Sequence, residues 1–194
     1  VQPAGNRDGH DSNFSFNYGY EGPCPNAEIE AIRNRQAKNF LATLLLSIGT
    51  PMLLGGDEFR RTQRGNNNAF CQNNETSWLD FGLAETHAGL RRFARGLVAF
   101  RLRHPAFRRP EFFTGKDADY NAMPDISWFD EHGRHPDWAR QERRIAYRLD
   151  GSKADTLNDR DDNDFYVVCN ASAEACLWRL CPAPMGRRWH LAVD

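Results

Sequence analysis

The sequence predicts an α/β segment followed by a small antiparallel β domain, and three observations carry that prediction. Apolar residues at helical spacing between Ile29 and Ile48 run straight into a short apolar stretch without alternation, Met52-Leu53-Leu54. A second helical pattern, Leu90, Phe93, Leu97 and Phe100, follows a loop rich in asparagine. Beyond Pro105 short β-like runs are separated by polar turns.

Taken in order, residues 1–26 are polar and rich in Gly, Asn and Asp, with Phe14, Phe16, Tyr18 and Tyr20 at every second position. Alternation suits a strand, but Gly19, Gly22, Pro23 and Pro25 interrupt it, so a long ordered loop is expected. In the helix that follows, Ile29, Ile32, Phe40, Leu41, Leu44, Leu45 and Ile48 share a face. Asn26 suits its N-cap, Glu28 and Glu30 suit the positive end of its dipole, and Gly49 suits its stop. Gly49-Thr50-Pro51 then feeds a strand at 52–54, expected to be buried on both faces as in a parallel sheet.

Gly55 and Gly56 permit a turn that side chains would block, and they deliver Asp57 and Glu58 to the carboxyl end of that strand. Ligands sit at that end in α/β folds. The same carboxylates could instead cap the next segment or pair with Arg60 and Arg61, and the residues alone leave both readings open. The second helix, supported by Ala88 and Ala94, ends near His104-Pro105. Loop, helix, strand, loop and helix in that order match the closing portion of a (β/α)8 barrel, placed at residues 1–108.

The second domain, 109–194, begins near Arg108-Arg109-Pro110. Strands are expected at Ile126–Phe129, Arg144–Leu149, Phe165–Asn170, 175–181 and 189–193, forming a C-terminal antiparallel β-sandwich or part of one. Between them the run 155–164 carries Asp155, Asp159, Asp161, Asp162 and Asp164. It lacks the central Gly and final Glu of an EF-hand loop, so a solvated hairpin connection is expected in preference to a calcium site.

Composition narrows the function classes. With 40% hydrophobic and 12% aromatic residues the chain can build a core. A formal net charge of -1 gives no electrostatic reason for nucleic acid or an anionic membrane as partner. The apolar stretches are too short for the ~20 residues that span a bilayer. Five cysteines, an odd number with no C-x-x-C pair, argue against a zinc site and a disulfide framework and fit a reducing compartment. No metal or cofactor is expected, and a cytoplasmic location is. The chain opens at Val1 without a signal segment and ends in a strand-like run, so it is expected to be a piece of a longer polypeptide.

Two clusters could carry chemistry: Gly9-His10-Asp11 beside Asn6-Arg7-Asp8, and Asp57-Glu58 with Arg60, Arg61 and Asn66-Asn67-Asn68. Carboxylates, guanidinium groups and amides beside aromatic rings suit a polyhydroxylated substrate, whose hydroxyls they can bind in pairs. Three consecutive asparagines form neither helix nor strand well. They must bond to their own loop or to a ligand, and at least one is expected to brace the loop.

Several stretches together resemble the isoamylase-type glycogen and starch debranching enzymes of the α-amylase superfamily. Among them are Asn6-Arg7-Asp8-Gly9, Gly49-Thr50-Pro51-Met52-Leu53-Leu54, Gly56-Asp57-Glu58, Arg61-Thr62-Gln63, Gly65-Asn66-Asn67-Asn68-Ala69, Cys71-Gln72 and Trp78-Leu79-Asp80. His104-Pro105-Ala106-Phe107-Arg108-Arg109 and Asp125-Ile126-Ser127-Trp128-Phe129 extend the resemblance into the second domain.

The resemblance implies a catalytic barrel with a following β-sandwich and hydrolysis of α-1,6 linkages in a branched α-glucan. It implies that the nucleophile, the acid/base and the third carboxylate all precede Val1. His10-Asp11 is then a decoy, since the family's His-Asp pair comes before the Asn-Arg-Asp-Gly segment. Substrate binding is expected at Asp57, Glu58, Asn66, Asn67 and Asn68. Phe70 and Asn73 stand where the family usually has Tyr and Asp, and a bracing role is expected there. Two other readings compete: a non-catalytic carbohydrate-binding module, and a branching or trehalose-releasing relative. The module requires exposed rings among Trp128, Trp138, Trp178 and Trp189, most of which are expected to be buried.

Overall fold

Asn26 starts the first helix, α1 (Ala27–Leu46), by accepting hydrogen bonds on its side-chain oxygen from Glu28 N at 2.8 Å and Ile29 N at 3.3 Å. The computed structural model describes residues 14–193, except 21, 67, 118, 141, 155–157 and 159. The expectations for Asn6 to Asp11, Glu21, Asn67, Asp155 and Asp159 fall outside the described residues. The chain divides into two compact units, Val1–Arg103 and His104–Asp194.

In the first unit, α1 packs against α3 (Ala88–Arg103), with the short α2 (Gly82–Thr86) ahead of it. The core is made by Leu41 and Leu45 of α1 and by Leu90, Ala94 and Leu97 of α3. The apolar face of α1 is narrower than the sequence predicts, since Ile32 and Phe40 are exposed. Its main partner among the described elements is α3, and one principal partner covers a single stripe. Arg33 ties the preceding loop down by donating to the carbonyls of Asn17 and Gly22, each at 2.7 Å, and of Tyr20.

Residues 52–54 form no strand, contrary to expectation, and Met52, Leu53 and Leu54 are all exposed. A strand exists through pairing, and none of the three strands among the described residues pairs with this stretch. Its start is nevertheless fixed. Buried Arg101 of α3 donates to Leu45 O and Ser47 O at 2.7 Å and to Gly49 O at 2.6 Å. One planar guanidinium thus satisfies the carbonyl end of α1, where the helix has no basic residue of its own.

The second unit is built on three antiparallel strands in the order β1 (Ile126–Phe129), β2 (Arg144–Leu149) and β3 (Phe165–Asn170). Ile126 faces Leu149 across the first pair, and Leu149 faces Phe165 across the second. Phe107, Ala106, Ala146 and Leu149 lie in its core, and the Phe165 ring packs at a tilt on Phe107 at 4.7 Å and edge-on with His104 at 4.9 Å.

The segments 175–181 and 189–193 are not strands, so the expected sandwich reduces to one sheet among the described residues. Side chains hold these segments instead: Trp178 Nε1 donates to Tyr166 OH at 3.3 Å, and Trp189 Nε1 donates to Cys181 O at 2.8 Å. Their rings are half-buried, as is Trp128, while Trp138 is exposed; the expectation of mostly buried tryptophans fails. A three-stranded sheet has too little surface to cover four indoles.

The acidic run does connect β2 to the antiparallel β3, with Asp161 exposed, but two of its carboxylates turn inward. Asp162 accepts from His104 Nδ1 at 2.7 Å and from Ala106 N at 3.2 Å, and Asp164 accepts from Gly151 N at 3.0 Å. Both side chains are 5% exposed. Buried backbone donors need acceptors, and these carboxylates supply them.

Candidate functional site

The turn after residue 54 is dictated by Gly56, which sits at φ 97°. A Cβ there would meet Arg61 Cβ and Leu79 Cδ2 at 2.9 Å, so no other residue fits this turn without strain. Gly56 O accepts from Phe59 N at 3.1 Å and Arg61 N at 2.9 Å, closing a one-turn 3-10 helix, Asp57–Phe59. Phe59 is buried and anchors the turn.

Arg60 then leaves in the left-handed region at φ 61° and crosses back to α1. Its Nη1 donates to Glu30 Oε2 at 2.7 Å and to Asn34 Oδ1 at 3.1 Å. The Arg60 hydrogen bond, with help from Arg33 and against desolvation, holds the Glu30 carboxyl below the usual carboxylate range.

This frame opens a depression of about 320 Å³ lined by Leu54, Asp57, Arg61, Gln63, Gly65 and Asn66, with Thr62. Its polar wall is internally linked. Arg61 Nη2 donates to Gln63 Oε1 at 2.9 Å, and Gln63 Nε2 donates to Asn66 O at 2.8 Å. Desolvation raises the pKa of Asp57, Arg61 pulls it down, and Glu58 pushes it up. The site therefore presents a carboxyl, a guanidinium and two amides to one opening, a set that can accept from and donate to neighbouring hydroxyls.

The sequence-predicted residues divide. Asp57 and Asn66 line the depression together. Glu58 is half-buried, and its Oε2 accepts from Gly56 N at 2.8 Å, a bond back onto the glycine turn. Asn66 Oδ1 accepts from Asn68 N, and Asn68 Oδ1 from Phe70 N, both at 2.9 Å: two successive loop braces. Asn73 Oδ1 accepts from Trp78 Nε1 at 3.1 Å, while Phe70 is exposed.

Arg61, named in the chemical cluster but not among the expected substrate binders, lines the depression, and so does Gln63, which the sequence alone does not single out as a site residue. A basic residue and an amide two apart, directly after a glycine turn, were the available signal. Among the described residues no group of three His, Cys, Asp or Glu side chains could hold a metal ion, and no helix is long and apolar enough to cross a membrane.

No family model matches the chain. It is 42% identical over 172 residues to the glycogen operon protein GlgX homolog of Mycobacterium tuberculosis, covering 84% of this chain and 24% of that protein. It is 36% identical over 202 residues to the glycogen debranching enzyme of Pectobacterium atrosepticum, covering 96% and 28%. Against the isoamylase of a Flavobacterium species the identity is 32% over 191 residues, covering 96% and 23%. Among solved structures, apo pullulanase from Paenibacillus barengoltzii matches with a TM-score of 0.54 and 25% identity over 78% of this chain and 20% of that one. The chain thus spans about a quarter of the length of the curated relatives it matches.

Proposed function

Because the chain belongs to the isoamylase-type debranching enzymes, as a segment of about a quarter of their length, we propose that it forms one wall of the substrate cleft in a glycoside hydrolase. The reaction is cleavage of α-1,6 branch linkages in glycogen-like or starch-like α-glucans. The first unit is the closing part of a (β/α)8 catalytic barrel, and the second, which begins at His104 rather than after 108, is an accessory β domain. The five cysteines, all free, support a cytoplasmic setting.

In this reading hydrolysis follows the retaining scheme, with two carboxyls ~5–5.5 Å apart and a covalent glycosyl intermediate. Those carboxyls lie on parts of the enzyme outside this chain. The segment's own share is positioning: Asp57 accepts from a sugar hydroxyl, Arg61 and the amides of Gln63 and Asn66 donate, and Asn67 joins them on the resemblance. Glu58 and Asn68 act on the loop and hold that wall in place. Orientation of this kind contributes to the rate by fixing the reacting geometry.

The observation that carries the reading is the convergence of Asp57, Arg61 and Asn66 on one depression inside the stretch that resembles the family. It is tested in the full-length enzyme by Asp57→Ala and Asn67→Ala. Each is expected to lower kcat/KM on a branched glucan by roughly fivefold to hundredfold, the scale of about 1–3 kcal/mol for a polar partner left unpaired. Wild-type kinetics in both variants would remove this loop from the cleft.

A further inference from the structure

Among the described aromatic residues of the second unit Phe112, Tyr120 and Trp138 are exposed, and of these Trp138 is the one whose ring is fixed by contacts with other described rings. It stands on a turn in which Arg140 N donates to Asp137 O at 3.0 Å and Ala139 N donates to Asp137 Oδ1 at 3.1 Å. The Arg140–Asp137 ion pair at 3.3 Å closes the same turn. Its ring is fixed by T-shaped contacts with Trp128 at 5.7 Å and His135 at 6.2 Å, and Trp128 in turn packs on Tyr147 at 5.5 Å. Yet Trp138 stays 61% exposed. A tryptophan serving the core would be covered. This one is held in place and left bare.

Beside the ring lies a groove of about 240 Å³ whose wall includes Trp138, Arg140, Glu142, Arg143 and Ile145. Glu142 and Arg143 are exposed, and among the described residues neither side chain has an ion-pair partner. Charge around the groove nearly cancels. Asp137 offsets Arg140, Glu142 offsets Arg143, and Arg144 is shared between Glu131 at 3.9 Å and Glu174 at 3.8 Å. An anionic ligand would call for uncompensated guanidinium groups, and a cationic one for spare carboxylates. An indole left 61% exposed, with one acceptor and one donor beside it, suits a neutral polyhydroxylated ring. Its C–H face stacks on the indole while its hydroxyls bond to Glu142 and Arg143.

We propose that the groove beside Trp138 is a second binding site for the α-glucan, engaging a stretch of chain with Trp138 as the stacking platform and Glu142 and Arg143 as hydrogen-bonding partners. The choice of glucan rests on the function proposed above, because the polymer that feeds the cleft is the neutral polyol at hand. Its effect is to hold the polymer at a second point, which raises the effective concentration of branch points.

The test is electrophoresis of the full-length enzyme through native gels with and without amylopectin, alongside release of reducing ends from the same polymer and thermal unfolding of each variant. Amylopectin is expected to retard the wild type. Trp138→Ala should weaken the apparent affinity by about threefold to tenfold, the span of one aromatic contact. Trp138→Phe, which keeps a flat face, should recover part of the loss, and Arg143→Ala should weaken binding at an unchanged unfolding temperature. If Trp138→Ala does not fold, Arg143→Ala and Trp138→Phe carry the measurement. Wild-type retardation in all folded variants, or no retardation of the wild type, overturns the site, and hydrolysis of amylopectin by the same samples leaves the proposed function standing. Retardation that depends on Trp138 in an enzyme that releases no reducing ends keeps the site and overturns the hydrolytic reading.

Discussion

Asp57 combines two properties that pull against each other. It lines the depression with Arg61, and desolvation together with Glu58 raises its pKa above the ordinary 3.8 against the pull of Arg61. A raised carboxyl pKa means that the folded chain keeps the proton to a higher pH than the unfolded chain does. Stability therefore falls as pH rises from 3.8 through the folded value, and the carboxylate is the less stable form at neutral pH. In the full-length enzyme Asp57→Asn should melt at the same or a slightly higher temperature at pH 7. The advantage should vanish when the scan is repeated below the ordinary carboxyl pKa, and the variant should lose activity throughout. A lower melting temperature at pH 7 would show that Asp57 is a structural ion-pair partner. Gly151 makes the opposite case, a residue with a structural task alone. A Cβ there would meet Asn163 O at 2.2 Å and Asp162 O at 2.5 Å. Gly151→Ala should destabilise the second unit by about 1–3 kcal/mol, read by chemical denaturation, with no direct effect on substrate affinity.

Elements follow from the sequence where their stabilisation is local or between neighbours in the chain. The N-cap of α1, the span of α3 and all three strands were legible because caps, apolar spacing and short alternating runs act within a few residues. The stretch 52–54 was not, because its apolar content states an affinity for neighbours without containing them. Segments 175–181 and 189–193 misled for a related reason: Trp178 and Trp189 gave them strand-like composition, but those indoles serve as anchors to Tyr166 OH and Cys181 O. At the site, the residue types in the Asp57 loop were legible, whereas the division between lining and bracing was not. Whether an amide faces outward or bonds its own loop is set by backbone torsions that composition does not encode, as Asn66 and Asn68 show. Arg101 was likewise hidden, since nothing in the α3 pattern announces that its guanidinium closes the end of α1. Arg101→Met keeps the aliphatic bulk and strips three buried or half-buried carbonyls of their donor. It should cost at least about 1–3 kcal/mol in denaturant unfolding, and Arg101→Lys should recover less than half, because a point donor cannot span the fork. A cost near zero for Arg101→Met would mean that water replaces the guanidinium.

At the scale of the whole molecule, the apolar surface is out of proportion to what 194 residues with two small cores can hide. In the first unit Phe14, Phe16, Phe40, Met52 and Leu54 are 95%, 74%, 76%, 90% and 58% exposed. Scattered exposed apolar residues are ordinary, but several large ones within a single small unit are the mark of a surface meant to be covered. The relatives supply a reason, since the matched segment is about a quarter of their length. In the proposed enzyme the remaining barrel elements cover this surface and carry the reacting carboxylates. Two outcomes are expected of the purified 194-residue chain. Its sedimentation profile should shift to larger species as concentration rises, because apolar surface left in water is hidden by self-association. It should also release no reducing ends from amylopectin above a heat-killed control, because Asp57, Arg61 and Asn66 can position a sugar but supply no pair of carboxyls across a glycosidic bond. The two measurements are independent. A monomer at high concentration with a cooperative melt would show that the exposed residues need no further partner, and reducing-end release would place the catalytic carboxyls inside this chain.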